Sequence, residues 1–132
     1  MAKSNFISVE EYLMGRDKDY PLDHLQLRNM AELLSRVNWL LGILDWETKV
    51  SSGYRPSALN RTVGGAKMST HTLCAGIDLV GVDLARHLNA NRELLEKCDL
   101  YLEHPDYTVG KTTGWTHLQT RKTRSGARVF NP

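Results

Sequence analysis

The stretch "DHLQLRNMAELLSRVNWLLGIL" places apolar residues at Met30, Leu33, Leu34, Val37, Leu40, Leu41 and Leu44. Steps of three and four residues repeat the period of one helix face, whereas a strand buries every second residue. Asp23 is placed to cap this helix while Gln26 reaches back, so its start is encoded locally. A long helix with one apolar stripe needs a surface on which to lie, and the rest of the chain must supply it. With 132 residues and 41% apolar content, we expect a single domain over residues 1–132. Trp39 and Trp46 belong to the same stretch and are expected in the core.

Before this helix, Ser8 and Glu11 form a capping box for a short helix through "VEEYLM", with Gly15 placed to end it. The "RDKDYP" that follows reads as a loop. After the long helix, "WETKVSSGY" reads as a strand running into a turn. "PSALNRTVGG" opens with Pro at a first helical position and closes on Gly64 and Gly65, which suits one or two helical turns. "AGIDLV" is a buried strand, "VDLARHLNANRELLEK" a helix with Leu84, Leu88, Leu94 and Leu95 inward, "CDLYLE" another strand and "GWTHLQT" a last one. Helices gathered first and strands crossed by a helix later predict an α+β fold.

The formal net charge of +2 is too small to imply nucleic acid, and both signs are mixed through both halves. Only "QTRKTRSGARVF" is locally basic, and it reads as a solvated end. The start has no apolar run of a secretory leader, and no stretch approaches the ~20 apolar residues of a transmembrane segment. Synthesis in the cytoplasm without a signal peptide is the expectation, and Cys74 and Cys98 are then expected as free thiols.

One stretch carries chemistry. "STHTLCAGIDL" sets His71 in a loop and Asp78 within an apolar strand, and His117 stands in "WTHLQT". A carboxylate in such a strand is costly to bury unless it is paired or bound to a cation. A catalytic zinc site takes three ligands of these types and leaves a fourth position for water. His71, Asp78 and His117 are therefore a candidate metal set. Each also has an ordinary reading, as a loop histidine, a strand-end aspartate held by backbone N–H groups, and an outward strand position.

The wider pattern, "SGYRPSALNRTVGG", then "STHTLCAGIDL" and later "GWTH", resembles the zinc D-alanyl-D-alanine carboxypeptidase and endopeptidase family. That family is grouped with lysostaphin-type enzymes and the Hedgehog domain. Its signature SxHxxGxAxD and its W-x-H strand match Ser69, His71, Asp78, Trp115 and His117, with Ser52, Gly53, Tyr54 and Arg55 upstream. The resemblance implies a single zinc peptidase domain of Hedgehog/DD-peptidase type, with helices packed on a small, mainly antiparallel sheet. One Zn2+ ion would sit on His71, Asp78 and His117. Arg55 would hold a substrate carboxylate or carbonyl, a task suited to a rigid charged fork, and Ser69 would add a hydrogen bond.

Three positions depart from the family pattern. The signature glycine is Cys74, the following alanine slot holds Gly76, and Gly114 stands three residues before the last histidine, where many members carry an acid. In members with a bare W-x-H, and in the Hedgehog domain, a glutamate ends the preceding strand. Glu103 matches that place and is the expected general base, with His104 and Asp106 in reserve. The implied substrate is a peptidoglycan stem or cross-link peptide, cut by a monomeric endopeptidase or carboxypeptidase. A lytic endopeptidase of phage endolysin type, reaching the wall after holin-type release or as a particle component, would reconcile cytoplasmic synthesis with a substrate outside the membrane. The rival reading is a binding module that keeps the zinc fold without turnover.

Overall fold

The computed structural model describes residues 6–62, 69–110 and 113–132. Helix α1 (Val9–Leu13) starts on the expected capping box: Ser8 Oγ accepts from the Glu11 N–H at 3.1 Å, and Glu11 Oε1 accepts from the Ser8 N–H at 3.2 Å. It ends one residue earlier than expected, at Met14 in the left-handed region, with Gly15 continuing that turn. Residues Arg16–Lys18 form a single 3-10 turn inside the predicted loop. Helix α2 (His24–Leu44) has the Asp23 and Gln26 box, and it buries Met30, Leu33, Leu34, Val37, Leu40 and Leu41. Trp46 packs at the core margin, but Trp39 is 52% exposed. Two residues past Val37 is about 200° around a helix, so Trp39 faces away from the stripe.

Strand β1 (Val50–Ser52) is shorter than expected, and helix α3 (Ser57–Thr62) follows. The Gly64 and Gly65 end expected for α3 lies outside the described residues. Strand β2 (Gly76–Val80) falls on "AGIDLV". The helix expected over "VDLARHLNANRELLEK" is two, α4 (Asp83–Ala90) and α5 (Glu93–Cys98). Asn91 divides them: its side chain donates to the His87 carbonyl at 2.9 Å and its backbone leaves the helical region. Asparagine competes for helix carbonyls in this way. Leu84, Leu88 and Leu95 are buried as expected, with Leu94 partly so. Cys98 closes α5 instead of opening a strand, and β3 spans Tyr101–Glu103.

Strands β4 (Trp115–Gln119) and β5 (Val129–Phe130) complete a five-stranded sheet of order β1-β2-β4-β3-β5. All pairings are antiparallel except β3 with β5. The α+β expectation with a mainly antiparallel sheet is met. The basic tail is not simply a solvated end, because β5 pairs along β3. Arg128 anchors it, donating to Asp99 Oδ1 at 2.9 Å with its guanidinium 4.4 Å from the Tyr101 ring centroid. Two paired residues are too short a run to read as a strand in advance. Among the described residues, no helix is long and apolar enough to cross a membrane.

Alternation along the strands gives the sheet two unlike faces. Ile77, Leu79, Leu102 and Leu118 point to one side and are fully buried. On the other side the register sets Ser52 beside Asp78, Asp78 beside His117, and Glu103 beside Phe130. Leu102 pairs with Leu118, so the next step of that register sets Glu103 across from His117. Ser52, Asp78, His117, Glu103 and Phe130 thus form one row across all five strands.

Candidate metal centre

Asp78 is the centre of this row. Its Oδ1 lies 2.7 Å from His117 Nδ1 and its Oδ2 lies 3.2 Å from His71 Nε2. The far nitrogens of both rings are engaged: His71 Nδ1 donates to the Gly53 carbonyl at 2.9 Å, and His117 Nε2 donates to Gln119 Oε1 at 2.9 Å. The Gln119 amide is oriented in turn, since its Nε2 donates to the Arg121 carbonyl at 2.9 Å. These bonds set the tautomers, and each neutral imidazole then turns a bare lone pair toward Asp78.

Two imidazole nitrogens and a carboxylate oxygen aimed at one another need positive charge between them, either protons or a metal ion. Burial pushes the Asp78 carboxyl up, but hydrogen bonds from His117 and His71 and their charges outweigh it and hold it well below the usual carboxylate range. Burial pushes His117 down, and the bond to Asp78 reverses this to a net rise. The three ligand atoms all lie within 4.8 Å of one another. Donors spaced in this way, each backed by an outer hydrogen bond, suit zinc at bond lengths of about 2.0–2.2 Å.

Several segments hold His71 in place. Ser69 Oγ accepts from the His71 N–H at 3.2 Å, and the His71 carbonyl accepts from the Arg55 N–H at 3.2 Å. Helix α2 reaches over with its polar flank: Gln26 Nε2 donates to the Thr72 carbonyl at 3.0 Å and Asn29 Nδ2 to the Leu73 carbonyl at 2.9 Å. Gly53 lies so close to α1 that a Cβ there would collide with the Tyr12 carbonyl oxygen.

The three departures from the family pattern each have a structural setting. Cys74 is fully buried with φ of 58°, in the left-handed region where glycine is the default, and burial pushes its thiol up to about 12. Such a thiol stays protonated, unlike the thiolate that binds metal, and the donor group among the described residues does not include it. At Gly76 a Cβ would run into Thr70 Oγ1, 2.8 Å from Thr70 Cβ and 3.2 Å from His117 Cε1. At Gly114 a Cβ would stand 2.8 Å from Val82 Cβ and 3.1 Å from the Thr108 carbonyl oxygen, so an acid does not fit without a backbone shift. Gly76→Ala, which restores the family's usual residue, is therefore expected to destabilise the fold by about 1–3 kcal/mol through overpacking. Urea unfolding of the two proteins checks this, and an unchanged midpoint would mean that Thr70 yields freely.

Glu103 is half-buried; burial pushes its carboxyl up, and it interacts electrostatically with His117, Asp78 and His71. Its two reserves are turned to local work: His104 Nδ1 accepts from the Asp106 N–H at 3.1 Å, and Asp106 is exposed. Arg55 lies beyond the other end of the row, donating to Ser52 Oγ and Asn60 Oδ1 at 3.1 Å each. A cleft of ≈ 480 Å3 reaches Asp78 past Gly114 and Trp115. Sequence reasoning did not single out Gln119, the Gly53 carbonyl as an orienting group, or Phe130, whose ring stands edge-on to His117 at 6.2 Å. The one available signal was that Gln119 follows His117 by two residues in a strand and so shares its face.

A half-buried aspartate between two histidines of set tautomer, on the open face of a mainly antiparallel sheet, gives this α+β protein a donor group that could hold a metal ion such as zinc. The chain belongs to the Peptidase M15 family, whose model matches residues 8–119. M15 peptidases are zinc-dependent, and the chain is accordingly a zinc peptidase by family. Comparison with curated proteins and with solved structures found no match.

Proposed function

We propose that this protein hydrolyses amide bonds of peptidoglycan stem peptides or cross-links, as an endopeptidase with a lytic role of phage endolysin type. In this reading it is made in the cytoplasm, acts on the cell wall, and works as a monomer. The observation that carries the reading is the single row in which Glu103 follows Asp78 and His117 across the sheet. His71 Nε2, Asp78 and His117 Nδ1 would hold the ion. Bound zinc supplies Lewis acidity, polarising a peptide carbonyl and lowering the pKa of an attacking water.

Glu103 takes the proton of that water and returns it to the leaving amine, so no covalent enzyme intermediate is needed. Glu103 is half-buried, and burial pushes its carboxyl up, which makes it a stronger base than an exposed glutamate. Arg55 receives a substrate carboxylate or carbonyl at the Ser52 end, and Ser69, whose oxygen already accepts from His71, keeps its own hydrogen for the same group.

The test is mass spectrometry of purified Gram-negative sacculi treated with the zinc-loaded protein, with a chelator control and mapping of each new amine. Chelator-sensitive release of a defined fragment is expected, and the position of the amine separates endopeptidase from carboxypeptidase. Intact sacculi from a zinc-loaded protein would sink the lytic reading and favour a binding module of the same fold.

A further inference from the structure

Beyond the row, at the β5 edge, lies a cleft of ≈ 850 Å3 whose lining includes Gln119, Arg121, Lys122, Arg124, Phe130 and Asn131. Gln119 and Phe130 both touch His117, and Phe130 pairs with Glu103, so the cleft begins where the row ends. Its rim is positive: residues 121–132 contain four cationic side chains and no aspartate or glutamate. Arg128 is committed to Asp99 and the Tyr101 ring, and Arg121, Lys122 and Arg124 line the cleft itself. Among the described residues, neither Lys122 nor Arg124 is paired with a carboxylate.

The loop that carries these charges is built rather than trailing. The Thr123 hydroxyl donates to the Ala127 carbonyl at 2.8 Å, the Gly126 N–H donates to the Thr123 carbonyl at 3.1 Å, and Gln119 holds the Arg121 carbonyl. All of it lies past residue 119, where the match to the family ends. Gln119, the last matched residue, joins this loop to the centre.

We propose that this basic cleft is a specificity subsite for carboxylates borne by the peptide substrate to one side of the scissile bond. The inference rests on the peptidase reading, because the cleft selects substrate for the same centre. Phe130 gives the peptide an apolar contact next to Glu103, and the loop cations meet its carboxylates at the rim. Contacts of this exposed kind are individually weak and screened by salt, so the subsite acts through several of them together.

Two synthetic peptides ending in D-alanyl-D-alanine test it, identical except that one carries two side-chain carboxylates and the other the matching carboxamides. Binding is measured by calorimetry on the zinc-loaded full chain carrying Glu103→Gln to prevent turnover, and hydrolysis is measured on the chain with Glu103 intact. The acidic peptide is expected to bind about tenfold more tightly at low salt, with the preference collapsing in concentrated salt. The pair K122E and R124E should abolish that preference while leaving the carboxamide peptide's affinity unchanged, which also shows that the variant is folded. The milder pair K122Q and R124Q should fall between. Equal binding of the two peptides, or a preference that survives charge reversal, overturns the subsite. Hydrolysis without preference overturns the subsite and keeps the peptidase, whereas preference without hydrolysis keeps the subsite and defeats the peptidase.

Discussion

Glu103→Gln will lower kcat/KM by about 10²- to 10⁴-fold while the protein still binds one zinc ion, the range expected when a general base is lost. Glutamine keeps the size of the side chain and a carbonyl oxygen for hydrogen bonding, so the fold and the cleft are retained. What is removed is the ability to accept a proton. The register leaves Glu103 across from His117, and the slot that holds an acid in many relatives is closed by Val82. Adding Gly114→Glu to Glu103→Gln should therefore fail to restore activity, because a side chain there first has to displace Val82. Turnover of a stem peptide, with zinc content measured on the same samples, decides the matter. Full activity of Glu103→Gln would move the base elsewhere, and loss of zinc would make Glu103 part of the metal centre instead.

Asp78→Ala should abolish zinc binding and lower activity at least about 10³-fold. Asp78 bonds both histidines, at 2.7 and 3.2 Å, and its removal takes the carboxylate out of the donor group found among the described residues. A ligand that binds only the folded state stabilises it by RT ln(1 + [L]/Kd), about 4 kcal/mol at a thousandfold excess over Kd. Thermal unfolding with and without added zinc reads this directly. The unaltered chain should gain a higher Tm on zinc addition, and Asp78→Ala should gain none. A variant that still responds to zinc would show that the two histidines, with some further donor, suffice.

Much of the fold could be read in advance because it is written in short-range patterns. Both capping boxes, the buried stripe of α2 and the strand around Asp78 depend on neighbours within a few residues, where periodicity and side-chain reach are decisive. The failures occurred where longer-range forces or competing local bonds acted. Asn91 broke a helix whose apolar spacing continued across it, and Trp39 was assigned to the core by its type although its angle on the helix turned it outward. The pairing of Val129 and Phe130 with β3 depended on a strand more than twenty residues earlier.

The centre divides in the same way. His71, Asp78 and His117 were identifiable as residues, and the carboxylate inside an apolar strand was the informative sign, because such a burial needs compensation. Glu103 was reached through the likeness of its strand end, whereas the bonds that orient the histidines, from Gly53 and Gln119, were not foreseen. Composition and local order by themselves determined the elements and the types of donor. Only the tertiary structure decided which donors meet, since a shift of one residue in strand register would turn Asp78, His117 or Glu103 to the opposite face. It also decided why Gly53 and Gly114 carry no side chain: the space for a Cβ is already taken by Tyr12 at the first and by Val82 at the second, both distant in the chain.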